Sequence, residues 1–312
     1  MSVSLLRSSE GWWIDRGDRA EPYPTSARTT GELMLERDDI LAAATRAAGD
    51  GVPIADLDLL SPITAPCRVV AQMVNYRSHA VDSGIDPDTV PTTFFRKASG
   101  SIAPARAVVT RPPHVGFLDY EIELGLVFHA PLDVGGNARL EDVVGALVMA
   151  DDLSARDVQL TKTQFYESKS YPGFTPLGPR LVVLAPGEHA YLQQDLRLTL
   201  SVNGVTRQDR TVADMITPPQ DALGVLQRFQ RMDPGDVLLT GTPGGTALKA
   251  PPAIVEKIAA LLPAPVKWRA FFRSQERNTR YLQDGDVVES TIVSSDGRLD
   301  LGRQELTVRD AS

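Results

Sequence analysis

"DYEIELGLVF", residues 119–128, decides how this chain is read. Apolar and polar residues alternate, which is the pattern of a β-strand with Tyr120, Ile122 and Leu124 on one face and Asp119, Glu121 and Glu123 on the other. At ~3.3 Å per residue, Glu121 and Glu123 stand about 6.6 Å apart along one face. Carboxylates so spaced can converge on one hard cation, whose oxygen ligands lie at roughly 2.0 to 2.6 Å. An amphipathic strand with its acids in water has the same pattern, and these ten residues leave both readings open.

Outward from that strand the chain keeps a β rhythm. "CRVVAQMV", "ARAVVTR", "VVGALVMAD", "RLVVLAP", "LRLTLSVNG", "DVLLTGTP", "DVVESTIV" and "RQELTVRD" are short runs bounded by Gly, Pro, Asn and Asp, and "SSDG" at 294–297 fits a hairpin turn. Clear helices are few, the best being "DALGVLQRFQRM" and "PAIVEKIAALL". Residues 1–65 read as a small N-terminal domain. It has a possible hairpin in "GWWIDRGDRAEPYP" and a helix in "RDDILAAATRAAGDG" that Asp38 or Asp39 would cap and Gly49 and Gly51 would end. Residues 66–312 form the main domain, mainly β with helices on its margins, an α+β class.

With 312 residues, 42% hydrophobic and 23% charged, the composition is that of a folded globular chain. A formal net charge of −8 with no basic stripe argues against nucleic acid as a partner. Cys67 is the only cysteine, which excludes an intramolecular disulfide and a cysteine-rich zinc site. No apolar run approaches a signal peptide or the ~20 residues of a membrane span, so a cytoplasmic setting without membrane contact is expected.

Three further clusters carry groups suited to chemistry. "VVGALVMADDLSARDVQ" reads as a buried strand that ends in Asp151 and Asp152, with Ser154 as a helix cap and Arg156 and Gln159 on the next turn. An acid at the end of an apolar strand is well placed to point into a cleft, while Arg156 has the alternative of pairing with Asp157 or Asp152. The loop after "MVNY" holds His79, the one histidine of four that lies among other reactive groups: Asn75, Tyr76, Asp82 and Lys97. "ESKSYPGFTPLGP" sets Lys169 before a rigid turn, and "LLTGTPGG" ends a strand at Thr240 and Thr242. The latter is no phosphate cradle, because it lacks the G-K-[ST] ending and no clear helix follows it.

In this order the stretches "NYRSHA", "FFRKASGSI", "DYEIELGLV", "DDLSARDVQ", "SKSYPGFTPLGP", "VNGVTRQD", "GDVLLTGTPGG" and "GDVVESTI" resemble the fumarylacetoacetate hydrolase superfamily over about residues 60–300. The resemblance implies a mixed-sheet β-roll found as a homodimer, with Glu121, Glu123 and Asp152 as ligands of Mg²⁺, or of Mn²⁺ or Ca²⁺. Water and substrate oxygens would complete the octahedron. It implies substrate contacts from Arg156, Gln159, Lys169 and Thr242, with Tyr76 and Lys97 at the rim. Smaller hydrolases and decarboxylases of the family pair a loop His with a Glu three residues on, where this chain has His79 followed by Asp82.

The function expected from the resemblance is metal-dependent cleavage of a C–C bond in a 2-oxo acid or 1,3-dicarbonyl substrate. In it His79, held by Asp82, activates water, and Lys169 and Arg156 balance charge. A decarboxylase, hydratase or tautomerase would use the same enolate chemistry, and a metal-stabilised dicarboxylate-binding protein is the alternative outside enzymes. Residues 246–283 depart from the shorter members. They form an insert with an amphipathic helix and the aromatic residues Trp268, Phe271, Phe272 and Tyr281, read either as an interface element or as a lid.

Overall fold

The structure, a computed structural model, describes residues 1–43, 45–46, 49–251 and 263–311. The strand Ile122–Phe128 lies inside the larger of two main sheets, between Val144–Asp151 and Val237–Leu239. All its residues are buried, because both of its faces are covered. Ile122, Leu124, Leu126 and Phe128 pack with Leu198, Leu200, Ile292 and Leu306 of the second sheet. Val127 faces the other way, among Val148, Val237, Leu33 and Ile40. Each such aliphatic side chain taken out of water contributes about 1.5–3 kcal/mol, which accounts for the apolar residues in the middle of the strand.

The large sheet continues from Val144–Asp151 through Leu181–Val183 to Val3–Ser8 and the hairpin Gly11–Asp15/Arg19–Pro22. On the other side Val237–Leu239 pairs in parallel with Val69–Gln72, and Phe94–Lys97 forms that edge. The expected N-terminal hairpin is present, and no sheet boundary separates it from the rest, since Leu5 sits opposite Leu181. The second sheet runs Val205–Thr211, Leu196–Val202, Val287–Ser294, Asp300–Asp310 and Arg106–Arg111, with the expected hairpin at 294–297. Two sheets packed face to face with helices on the margins give the mixed, sheet-rich α+β architecture.

Several local expectations are corrected. Ser154 does not cap a helix: Ser154–Ala155 pairs with Leu118–Asp119, and Arg156–Thr161 begins after Ala155 with no side-chain cap. Asp38 and Asp39 fall inside the first turn of Arg37–Ala43 and do not precede it. The helix Pro219–Leu226 begins two residues before "DALGVLQRFQRM" and ends within it. The helix expected in "PAIVEKIAALL", 252–262, lies outside the described residues. No helix among the described residues is long and apolar enough to cross a membrane.

Candidate active site

Strand pairing assembles the acids. Ile122 lies opposite Asp151, so Glu121 and Asp152 meet just beyond the end of the ladder, where the Asp152 N–H donates to Glu121 O at 2.7 Å. Glu123 projects beside the turn after Val237–Leu239 and accepts from Gly241 N at 2.8 Å. Gly241 holds φ +84°, a conformation that suits glycine. One carboxylate oxygen from each of Glu121, Glu123 and Asp152 lies within 4.8 Å of the others, and all three residues are buried. The solvated-face reading of "DYEIEL" is therefore excluded by burial.

Three cations share this pocket of acid. Lys169 Nζ donates to Glu121 Oε2 and Asp152 Oδ2, both at 2.6 Å. Lys97 Nζ bonds to Asp152 and, at 2.9 Å, to Phe174 O. Arg156 donates from Nε to Asp119 at 2.8 Å, from a terminal nitrogen to Gln159 at 2.7 Å, and from the other to Glu121. Arg156 thus takes neither of its expected partners, Asp157 or Asp152. Asp119, open to being either solvated or a support behind the ligand acids, is fully buried and holds Arg156, which in turn bonds Glu121. It also accepts from Ala247 N at 2.8 Å and Leu248 N at 3.0 Å.

Electrostatics separates the acids. Burial pushes Glu121 up, but Arg156 and Lys169 more than reverse it and hold the carboxyl well below the usual range. Glu123 faces none of these cations directly: burial, then Asp152 and Glu121, lift it well above the ordinary carboxylate value. Burial likewise raises Asp151 to about 7, although its Oδ1 accepts from Glu121 N at 2.7 Å. Burial lowers Lys97, with Asp152 opposing; for Lys169 the attraction of Asp152 and Glu121 outweighs burial and raises it. Asp119, Glu121, Glu123 and Asp152 face Lys97, Arg156 and Lys169, four acids against three bases, and Glu123 is the carboxylate without a cation of its own. A divalent ion held by Glu121, Glu123 and Asp152 fits that deficit and the oxygen-only donor set.

A cavity of about 530 Å³ opens onto the acids. His79, Glu121, Glu123, Arg156, Gln159, Lys169 and Thr242 line it together, so most of the expected site residues converge. Burial lowers His79, leaving a neutral imidazole, and its Nδ1 has no hydrogen-bond partner among the described residues. Asp82 is not brought to His79. It shares the helix Arg77–Asp82, but its carboxylate accepts from Gly245 N at 2.9 Å and pairs with Lys249 at 3.2 Å. Tyr76 and Lys97 do not sit at a rim: both are buried behind the cavity wall. The Thr242 hydroxyl is committed, donating to Ile122 O at 2.9 Å and accepting from Gln208 Nε2 at 2.8 Å.

Gln208 escaped the sequence reading. It also accepts from Ile122 N at 3.0 Å and donates to Pro243 O, tying the acidic strand to the "TGTPGG" loop from the second sheet. Its strand, Val205–Thr211, is "VTRQDRT", too polar to show a core-facing pattern. Of the insert, Trp268 and Phe271, on the helix Ala264–Gln275, line the same cavity as His79 and Glu121. Part of the insert therefore belongs to the wall of the candidate site.

A model of the family described as fumarylacetoacetate (FAA) hydrolase C-terminal matches residues 68–309. A mitochondrial oxaloacetate tautomerase of Homo sapiens is 29% identical over 243 residues, 75% of each chain. The crystal structure of a probable 2-hydroxyhepta-2,4-diene-1,7-dioate isomerase from Mycobacterium abscessus superposes with a TM-score of 0.72 at 25% identity, covering 100% of both chains. A maleylpyruvate hydrolase from Sphingobium shares the fold, with a TM-score of 0.70 at 20% identity over 99% of this chain and 100% of the other.

Proposed function

The chain belongs to the fumarylacetoacetate hydrolase family, and from that premise we propose that it is a divalent-metal-dependent enzyme of enolate chemistry on a 2-oxo acid or 1,3-dicarbonyl substrate. The observation that carries the reading is the buried triad Glu121, Glu123 and Asp152 at the floor of a cavity that also holds a neutral His79. A divalent ion there would supply Lewis-acid polarisation of the substrate's 2-oxo and carboxylate oxygens. Arg156 and Gln159 bind and orient the acid head, and Lys169 adds positive charge beside the triad. His79 takes the proton from the carbon next to the 2-oxo group and, as imidazolium, returns it to the enolate oxygen, so that the keto acid becomes the enol with no net gain or loss of protons.

Proton transfer, as in a tautomerase or isomerase, is the step this geometry supports best. It needs one base beside the substrate carbon, and His79 lines the cavity with an Nδ1 that has no partner among the described residues. The name of the 29% identical relative, an oxaloacetate tautomerase, supports the same reading. C–C bond hydrolysis is the second reading, favoured by His79 itself as a base for water. It needs an imidazole aligned by a partner on its other nitrogen, and Asp82 is engaged elsewhere. A homodimer is part of the proposal, checked by the mass in solution.

Loss of enol absorbance from oxaloacetate and from acylpyruvates, followed with Mg²⁺ and with chelator, tests the reading, with product analysis separating keto acid from cleaved acids. Turnover is expected only with the ion, and His79→Gln should lower it by roughly a hundredfold or more. Full activity in chelator would overturn the proposal.

A further inference from the structure

The cavity is larger than a small 2-oxo acid needs, and its chemistry changes along its depth. The groups able to hold an acid head lie at the inner end. The outer walls are apolar, formed by Phe95, Leu160 and Phe165 on the body and by Leu248, Trp268 and Phe271 beyond the "TGTPGG" loop. A volume of about 530 Å³ lies in the range that encloses a drug-sized ligand, well above that of a four-carbon acid.

We propose that this outer half is a binding subsite for an apolar, aryl-sized tail on the substrate, with Trp268 and Phe271 as its specificity-determining residues. The inference rests on the proposed function, since the acid head is what places the tail there. The aromatic wall starts where the charged floor ends: Lys169 Nζ lies 5.3 Å from the centroid of Phe95, and Phe95 meets Phe165 edge-on at 5.6 Å. On the helix Ala264–Gln275, Trp268 and Phe271 of the same lining meet edge-on at 6.0 Å. Phe272 fixes their helix, stacking on Phe117 at 5.7 Å with 11° between planes and on Trp268 at 5.8 Å with 22°. Phe117 O in turn accepts from Arg156 N at 2.9 Å, so the wall and the head-binding arginine are set by one segment.

Two cations face the outer half. Lys249 is paired with Asp82, and Lys267 lies 6.0 Å from the Trp268 ring it accompanies. A carboxylate carried on the tail would lose hydration within this largely aromatic lining, where Lys249 already has Asp82 as its partner. An apolar tail gains from the same surface.

Three probes on the Mg²⁺-loaded full chain, compared by calorimetric competition, test this. Pyruvate carries the head alone, phenylpyruvate adds a ring, and 2-oxoglutarate adds a distal carboxylate. Phenylpyruvate is expected to bind about tenfold or more tighter than pyruvate, the scale of apolar discrimination in a fitted pocket. The double variant Trp268→Ala, Phe271→Ala should bring the two within twofold, chiefly through weaker phenylpyruvate binding. Trp268→Phe, which preserves an aromatic wall, should keep most of the preference and guards against misfolding of the double variant. Equal affinity for pyruvate and phenylpyruvate, tightest binding of 2-oxoglutarate, or a preference that survives the double variant would each overturn the subsite. Failure of pyruvate itself to bind with Mg²⁺ would instead sink the head-group reading, and the subsite with it.

Discussion

Asp119 does more for the site than its place in the alternation announces. One carboxylate accepts from Arg156, Ala247, Leu248 and Tyr120, so it holds Arg156 and the loop that lines the cavity with the same charge. Removing one partner of a buried pair costs roughly 3–5 kcal/mol, and Arg156 keeps Glu121, so Asp119→Ala should cost about 3 kcal/mol in urea unfolding, with a raised KM. A loss below about 1 kcal/mol would contradict this role. The alternation of "DYEIEL" tells which acids share a face and says nothing of how deep that face lies. Glu121 and Glu123 were legible as ligand candidates only with Asp152 and the motifs around them. For Asp119 the sequence left open whether it is solvated or supports the ligand acids, because the partners that decide it, Arg156, Ala247 and Leu248, are far off in sequence.

Among elements, the strands were readable and the loops that carry chemistry were less so. Apolar runs between turn residues mark Ile122–Phe128, Val144–Asp151 and Val237–Leu239, whereas Val205–Thr211 is polar at most positions and hid Gln208. Thr29 and Glu32 form a capping box on Thr30–Met34, a signal present in "TTGE" that went unread. The turn at 244–245 shows how tightly the loops are seated. Gly245 holds φ +110°, and a Cβ there would stand 2.0 Å from Arg207 O. Its N–H is what engages Asp82. Gly245→Ala should therefore displace the loop, with backbone strain of about 1–3 kcal/mol lowering the midpoint of unfolding and weakening substrate binding. An unchanged midpoint and KM would contradict the placement.

At the scale of the molecule, the second sheet covers one face of the central strand and the helices Thr30–Met34 and Arg37–Ala43 pack on the other, while its acidic start faces a cavity lined in part by the helix Ala264–Gln275. Composition and periodicity indicated a mainly β chain; the order of the sheets, and the joining of the N-terminal hairpin to the large sheet through Val3–Ser8 and Leu181–Val183, depend on long-range pairings that no local pattern encodes. We propose that the buried excess of acid at Glu121, Glu123 and Asp152 holds a divalent ion. Thermal unfolding of metal-stripped protein, titrated with Mg²⁺ and Mn²⁺ and repeated on Glu123→Gln, tests it most directly. An ion at a hundred times its Kd stabilises the native state by about 2.7 kcal/mol, which should raise the wild-type midpoint by on the order of 5 °C and leave the variant almost unmoved. Midpoints that ignore both ions in the wild-type chain, or that rise equally in Glu123→Gln, would contradict the account.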